Sequence, residues 1–396
     1  MKQGWEIKTL GEVASFSQGI QVGLEQHLTE PKEGYVRFIR IVDYTQNTDD
    51  IRYIPNPGEK YFVNEDDIVM VRYGTPGLIG RGKAGVIANN LFRIKIERKD
   101  LTNDYLTLFL SQNDIQNYLS TQGSATMPAL NFGQLKTVEV KFPPLHEQKR
   151  IVAILDETFA AIAKAKDNAE QNLKNAKELF DSYLQGVFEN NGEDWEEKTL
   201  GEVLVKTETT DPTKKPKEEF IYLDVSSVNK ETKEIESATV LLGKDAPSRA
   251  RKLVRTNDVI FATVRPTHSR VALITEEYNE QVCSTGYFVL RAKEFLSNNL
   301  VFYFLLTYSF NKQMEKLQKG ASYPAVTDSE VKGIYIPFPK SLKEQNKIVQ
   351  KLDALSTETK KLEAIYNQKI NDLEELKKSV LQKAFSGELK TAKALV

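Results

Sequence analysis

Two hydrophobic periods alternate along the chain. Short runs that are continuously apolar, or apolar at every second residue, read as strands. RFIRIVDY, KYFV, DIVMVRYG and LFRIKIE lie between residues 37 and 97, and FIYLDV, DVIFATV, VALITE and GYFVLRA between 220 and 292. Each set leads into one amphipathic helix, about 103–120 and 298–318, with Asn103 and Ser297 as N-caps. A proline-containing loop and a last strand follow, TVEVKF in one case and GIYIPF in the other. The period then lengthens. Apolar residues fall at Ile151, Leu155, Ile162, Ala165, Ala169, Ala176, Leu179 and Tyr183, and again at Ile348, Leu352, Leu355, Leu362, Tyr366, Ile370, Leu373, Leu376 and Val380. Spacings of three and four place them on one seam of a long helix. Neither stretch holds a proline, and the first glycines, Gly186 and Gly387, are the expected stops. About 40 residues at 1.5 Å each make a rod of roughly 60 Å.

The chain is one unit written twice. WEIKTLGEV at Trp5 returns as WEEKTLGEV at Trp195, with eight of nine letters shared. FPPLHEQKRIVAILD from Phe142 returns as FPKSLKEQNKIVQKLD from Phe338, with Gln148 matching Gln345. SYLQGVFE from Ser182 returns as SVLQKAFS from Ser379. Fainter echoes join DDIVMVRYG to NDVIFATVRP, and GSATMPAL at Gly123 to GASYPAV at Gly320. The period is far longer than that of a solenoid, so paired domains are expected. Matching edges enclose interiors, roughly 20–120 and 210–318, that differ strongly, as in two similar scaffolds that read two different things. A rod with one apolar seam needs a partner, and the other copy supplies it. An ordinary bundle helix inside each domain is the alternative. The Phe-Pro pair cannot extend a helix backwards, so it sets the start of each rod. The expected class is α+β: two β-rich domains separated by two long helices in an antiparallel coiled coil, with internal pseudo-twofold symmetry. Boundaries fall at 1–146 and 191–342 for the domains, and at 147–190 and 343–396 for the helices.

Composition narrows the function. Of 396 residues, 40% are hydrophobic and 28% charged, ordinary for a soluble protein. No apolar run reaches membrane-spanning length, and the N-terminus lacks an apolar signal core. The single cysteine, Cys283, fits a reducing cytoplasm, and three scattered histidines argue against a zinc site. The net charge of -1 means that a phosphate-rich partner would have to be met by local basic surface.

Three stretches imitate catalytic motifs. GLIGRGKA at Gly77 has the glycines and Lys83 of a phosphate-binding loop, but Ala84 stands where the metal-binding hydroxyl belongs and a strand-like run follows. FPPL carries Phe142 and Leu145 where an adenine methyltransferase needs Asn and an aromatic. WEIK and WEEK supply half of a nuclease signature without its strand-borne Asp. No nucleophile–histidine arrangement can be assembled from the three histidines. The chain reads as non-catalytic.

The ordered, duplicated set (the WEIKTLGEV and WEEKTLGEV openings, the glycine-to-proline loop, and the Leu-x-Glu-Gln-x-x-Ile-Val phrase before a long helix) resembles the specificity subunit of Type I restriction–modification systems over essentially the whole chain. In that family two target-recognition domains each read half of a split DNA sequence, and two long helices space the domains and dock two modification subunits. The resemblance therefore implies double-stranded DNA and two methyltransferase subunits as partners, with restriction subunits able to join. It implies no cofactor in this chain, with S-adenosylmethionine and ATP carried by the partner subunits. FPKS at Phe338 departs from the pattern by one inserted residue and a lost proline.

Base reading needs donors and acceptors at base edges, and phosphate contacts need Lys, Arg, Ser, Thr or Tyr. The candidates are Arg72, Arg81 and Lys83 in the first domain and Arg249, Arg251, Lys252, Arg255, Arg265 and Arg270 in the second. The loop residues Thr126 and Ser322, and KKPK at Lys214, are added to them. Arg72 and Arg265 are read as occupying corresponding strand ends. Half-sites read from one face of a duplex stand about one helical turn apart, roughly 34–36 Å. Other readings are a coiled-coil adaptor that never touches DNA, an enzyme with a nucleotide site at GLIGRGKA, and a specificity subunit of another restriction system.

Overall fold

A computed structural model describes residues 4–46, 49–121, 129–190 and 192–389. The chain divides into two compact units, Met1–Ala169 with Gln368–Val396, and Glu170–Asn367. Each long helix contributes one part to each unit.

The first unit opens with β1 (Glu6–Thr9), paired antiparallel with β10 (Glu139–Phe142). Thr9 and Glu12 form a reciprocal capping box on the short α1 (Leu10–Val13). Strands β2 (Ala14–Gln18), β9 (Leu91–Ile96), β6 (Ile68–Val71) and β7 (Ile79–Gly80) form one antiparallel sheet in that order. A second sheet runs β4 (Arg52–Pro55), β3 (Tyr35–Ile39), β8 (Gly85–Ile87), β5 (Phe62–Val63), with β3 and β8 parallel. The end of RFIRIVDY leaves the strand for α2 (Val42–Thr45), turned by the buried Asp43, which accepts from the Arg40 backbone N–H at 2.8 Å.

The helical stretch expected at 103–120 is two helices, α3 (Asn103–Leu110) and α4 (Asn113–Thr121), followed by α5 (Phe132–Lys136). The N-cap of α3 is Thr102, not Asn103. The Thr102 side chain accepts from the Tyr105 N–H, while Asn103 donates instead to the carbonyl of Asp66. The long helix α6 (Leu145–Glu189) begins two residues after the Phe142–Pro143 pair.

The second unit repeats the frame. β11 (Trp195–Thr199) pairs antiparallel with β19 (Tyr335–Pro339), and α7 (Leu200–Val203) carries the matching Thr199–Glu202 box. The sheets are β13 (Thr239–Leu242), β12 (Glu219–Leu223), β17 (Val282–Ser284), β14 (Ala250–Leu253), and β16 (Val271–Leu273), β15 (Val259–Ala262), β18 (Tyr287–Leu290). Its helix expected at 298–318 is also split, into α8 (Asn298–Leu305) and α9 (Tyr308–Leu317). Thr307 causes the break: its hydroxyl donates to the Phe304 carbonyl and its side chain caps α9 at the Phe310 N–H. α10 (Asp328–Lys332) and the long α11 (Leu342–Ser386) complete the unit's inventory.

Both long helices have 45 residues, roughly 68 Å at 1.5 Å per residue. In the first unit the start of α6 lies antiparallel to the end of α11. Leu155 shares a core with Leu381, Lys377 sits 5.2 Å from the Phe159 ring centre, and Lys166 pairs with Glu374 at 2.6 Å. In the second unit the end of α6 meets the start of α11 in the same sense. Lys177 pairs with Glu363 at 3.5 Å, Lys351 sits 4.8 Å from the Tyr183 ring, and Leu184 and Phe188 share a core with Val349 and Leu352. Ile162, Ala169 and Ala176 are buried as the seam requires, but Leu179, Leu362 and Leu376 are exposed, so the seam is narrower than its sequence pattern. Gly186 does not end α6. The buried Leu184 and Phe188 flank it, and their burial outweighs the roughly 1 kcal/mol that a helical glycine costs. Gly387, with φ 79°, does end α11.

The repeated Gln is the joint between domain and rod. Gln148 is fully buried. Its Oε1 accepts from the Thr102 N–H at 3.0 Å, and its Nε2 donates to the carbonyls of Asp100 at 2.7 Å and Pro143 at 2.8 Å. Gln345, also fully buried, accepts from the Ser297 N–H at 2.8 Å and donates to Phe295 O at 3.0 Å and Pro339 O at 2.8 Å. One amide side chain thus satisfies backbone groups at the start of the domain helix and at the entry of the rod.

Candidate nucleic-acid interface

The two copies can be aligned on their hydrogen bonds. In the first unit the Leu130 N–H donates to Arg72 O, and Tyr73 bridges Ala129. In the second the Val326 N–H donates to Thr263 O, and Val264 bridges Ala325. Arg72 therefore corresponds to Thr263, and the counterpart of Arg265 is Gly74. The expected equivalence of Arg72 and Arg265 is off by two residues, because the sequence echo was aligned on arginines and not on the strand.

Most of the candidate cations are engaged in the fold. The half-buried Arg72 donates from Nε to the Leu130 carbonyl at 3.3 Å, and its guanidinium lies 5.9 Å from the Phe92 ring centre. Arg81 pairs with Asp104 at 2.5 Å and Asp66 at 3.7 Å, tying the β7 turn to α3. Lys83 lies 5.9 Å from the Tyr44 ring. Thr126 lies outside the described residues. Lys252 is a strut: its ammonium donates to Tyr287 O at 2.6 Å and to Asp328 at 2.7 Å, joining sheet to α10. Arg251 pairs with Asp211 at 3.5 Å, and Arg270 donates to the Val228 carbonyl. Arg255 pairs with Glu208 at 2.8 Å. Glu208 also accepts from Arg291 at 2.9 Å, and that bond holds its carboxyl below the usual range. Arg291 in turn clasps the buried Asp258 through two bonds of 2.7 Å.

Arg249, Arg265 and Ser322 face solvent, as do Arg255, beside its pair with Glu208, and Lys214 of KKPK. No carboxylate pairs with Arg249 or Arg265 among the described residues. Arg265 lies 5.6 Å from the ring centre of Tyr323, which is 74% exposed and next to Ser322. The Lys319 and Ala325 backbones bond each other in both directions at 2.9 Å, so Tyr323 stands at the tip of a closed loop. Tyr323 is absent from the sequence-derived candidates. Its signal was an aromatic residue set among small ones in GASYPAV, where nothing apolar needs it.

Among the described residues no cluster of three His, Cys, Asp or Glu could hold a metal, and no helix is long and apolar enough to cross a membrane. Burial pushes the Cys283 thiol up to about 12, which keeps it protonated at neutral pH.

Comparison with known proteins accounts for this frame. The sequence matches the family described as Type I restriction modification DNA specificity domain twice, over residues 2–173 and 192–374. It is 23% identical over 411 residues to the Type I restriction enzyme MjaVIII specificity subunit of Methanocaldococcus jannaschii, covering 98% of this chain and 93% of that one. It is 22% identical to the EcoKI specificity subunit of Escherichia coli strain K12, covering 98% and 90%. In fold, a chain from a study of complex assembly and conformational transition of the type I R-M system superposes with a TM-score of 0.78 at 18% identity, covering 98% and 99%. The HsdS subunit of Thermoanaerobacter tengcongensis superposes with a TM-score of 0.60 at 19% identity, covering 98% of each chain. With the duplicated frame, the paired long helices and two matches that together span most of the sequence, the chain belongs to the Type I restriction–modification DNA specificity family.

Proposed function

We propose that each unit of this chain reads one half of a bipartite DNA site on behalf of partner subunits that do the chemistry. Two methyltransferase subunits supply S-adenosylmethionine and methylate adenine, and restriction subunits, where they join, supply ATP-driven cleavage. This chain holds no cofactor, catalyses no step, and works in the cytoplasm. One observation carries the reading: two units share a frame down to the same backbone bonds, Leu130 to Arg72 and Val326 to Thr263, yet set different side chains on the loops beside them. A catalytic duplication would keep the same reacting groups in both copies, whereas a reader of two unlike half-sites keeps only the frame. The exposed Leu179, Leu362 and Ile365 in the second unit, and Leu376 in the first, give the long helices apolar surface for the methyltransferase subunits.

The test is methylation-site mapping in cells that express the chain with its methyltransferase partner. The expected result is one motif of two short specific halves separated by unread base pairs. Each mismatch inside a half costs roughly 1–3 kcal/mol, and changes in the gap cost little. A single continuous motif without a gap would refute the two-reader scheme.

A further inference from the structure

The turn VRPTHSR of the second unit holds two non-glycine residues in the left-handed region, Arg265 (φ 50°, ψ 57°) and Ser269 (φ 47°, ψ 46°). Left-handed backbone crowds a Cβ against its own carbonyl, so side-chain-bearing residues seldom sit there. The same place in the first unit is Gly74, with φ 97° and its surface exposed. The scaffold therefore accepts glycine here, and the fold does not need a side chain. An arginine retained at this position against its backbone preference serves something outside the fold.

The turn is held from several sides. The Arg265 N–H donates to the Pro324 carbonyl at 2.7 Å, and its carbonyl accepts from the His268 N–H at 3.0 Å. Asn311 donates from Nδ2 to Thr267 O at 3.2 Å and to the Ser269 hydroxyl at 2.6 Å. The Lys233 ammonium donates to Ser269 O at 2.8 Å. The guanidinium itself stays outside, with its Cζ 5.6 Å from the centre of the exposed Tyr323 ring. A phosphate contact needs charge without a fixed direction. A guanine edge needs two parallel donors held in place, and a clamped backbone with an aromatic ring beside the guanidinium restricts where those donors can point.

We infer that Arg265, aimed by its left-handed turn and by the Tyr323 ring, is the residue that selects a guanine at one position of the half-site read by the second unit. This rests on the two-reader scheme proposed above. The strain at Arg265 is then the cost of aiming a base-reading side chain, and the Tyr323 ring restricts where its donors point.

The test uses the full chain, co-expressed with its methyltransferase subunits, and compares wild type with Arg265→Gly and Arg265→Lys. Methylation-site mapping should show the guanine becoming degenerate at that position in both variants, a loss of about 5- to 150-fold in discrimination. The other positions, and the whole of the other half-site, should not change. The thermal midpoint of Arg265→Gly should equal or exceed that of wild type, because glycine relieves the left-handed turn. A lysine variant that restores the wild-type motif, or a uniform loss at every sequence, would make Arg265 a phosphate contact and overturn the inference. So would an unchanged motif in Arg265→Gly, or a lower midpoint, which would assign the side chain to the fold. If wild type itself yields no two-part motif, the two-reader scheme fails first, and that outcome is distinct from degeneracy confined to one base.

Discussion

Replacing Gln345 by Leu should unhinge the second unit from its rod at little change in shape. Leucine fills nearly the same volume but leaves the Ser297 N–H and the carbonyls of Phe295 and Pro339 without their partner. The site is fully buried, so water does not replace the lost bonds. An unsatisfied buried backbone group costs about 1–3 kcal/mol, and the added apolar contact of leucine offsets part of three such losses, leaving roughly 3–5 kcal/mol. For a unit of this size that is a fall of about 6–20 °C in the thermal midpoint. Gln345→Glu separates hydrogen bonding from shape. As a carboxylate it can still accept from Ser297, but it opposes two carbonyls, so its folded pKa rises above the unfolded value. The penalty is then largest at neutral pH and is relieved as pH falls through the folded pKa, where the protonated acid donates to one carbonyl. The assays are calorimetry of the full chain against pH and hydrogen exchange read on peptides 297–310 and 342–352. A Gln345→Leu midpoint within about 1 °C of wild type, or a glutamate variant that gains nothing on acidification, would refute the joint. Gln148→Leu should reproduce the loss in the first unit, with the protection change moved to peptides around 100–110.

Phe385→Ala should loosen the first unit by about 3–5 kcal/mol. Its ring meets Tyr105 at 5.2 Å and Phe109 at 5.3 Å, both edge to face, so exchange should quicken in 103–121 and stay slow in 298–317. Phe188→Ala, which removes the contact with Phe304 at 5.5 Å, should show the reverse pattern. Glu330 caps α10, and its bond to Lys319, followed by those to Thr327, holds its pKa at about 2. Its contribution is complete above the unfolded carboxylate range and is lost as pH falls towards about 2, so the midpoints of wild type and Glu330→Gln should differ at neutral pH and converge on acidification.

Much of the frame was legible because it rests on local pattern. The duplicated openings became matching strands and capping boxes, since Thr9 and Glu12, like Thr199 and Glu202, stand three apart and satisfy each other without distant help. The rods were legible because 45 residues without proline have no other way to bury their seam. What was not legible depends on distant partners. Nothing near Gly186 announces that Leu184 and Phe188 will be buried on either side of it. Short strands such as β7 and β17 exist only through their neighbours. The site suffered in the same way. Nothing near Lys252 announces that Asp328, 76 residues later, pairs with its ammonium, nor near Arg81 that Asp104 does. Aligning arginines also hid the relation of Gly74 to Arg265, because backbone handedness leaves no mark in a string of letters.

These assignments place stability and selectivity in different atoms. The groups that hold each unit together are repeated: a buried glutamine at the joint, a capping box on the first helix, an aromatic from a long helix in the core. The exposed Arg265, by contrast, is not repeated. Arg265 has no counterpart across the frame except a glycine, and most of the other basic candidates are held by carboxylates, carbonyls or ring faces. A protein whose total charge is near zero cannot hold DNA through bulk attraction. Contact with phosphate then falls to local basic surface and to directed side chains. In such a design a substitution at one exposed position can change which base is preferred without disturbing the fold. A substitution at the buried glutamine disturbs the fold and carries no information about sequence.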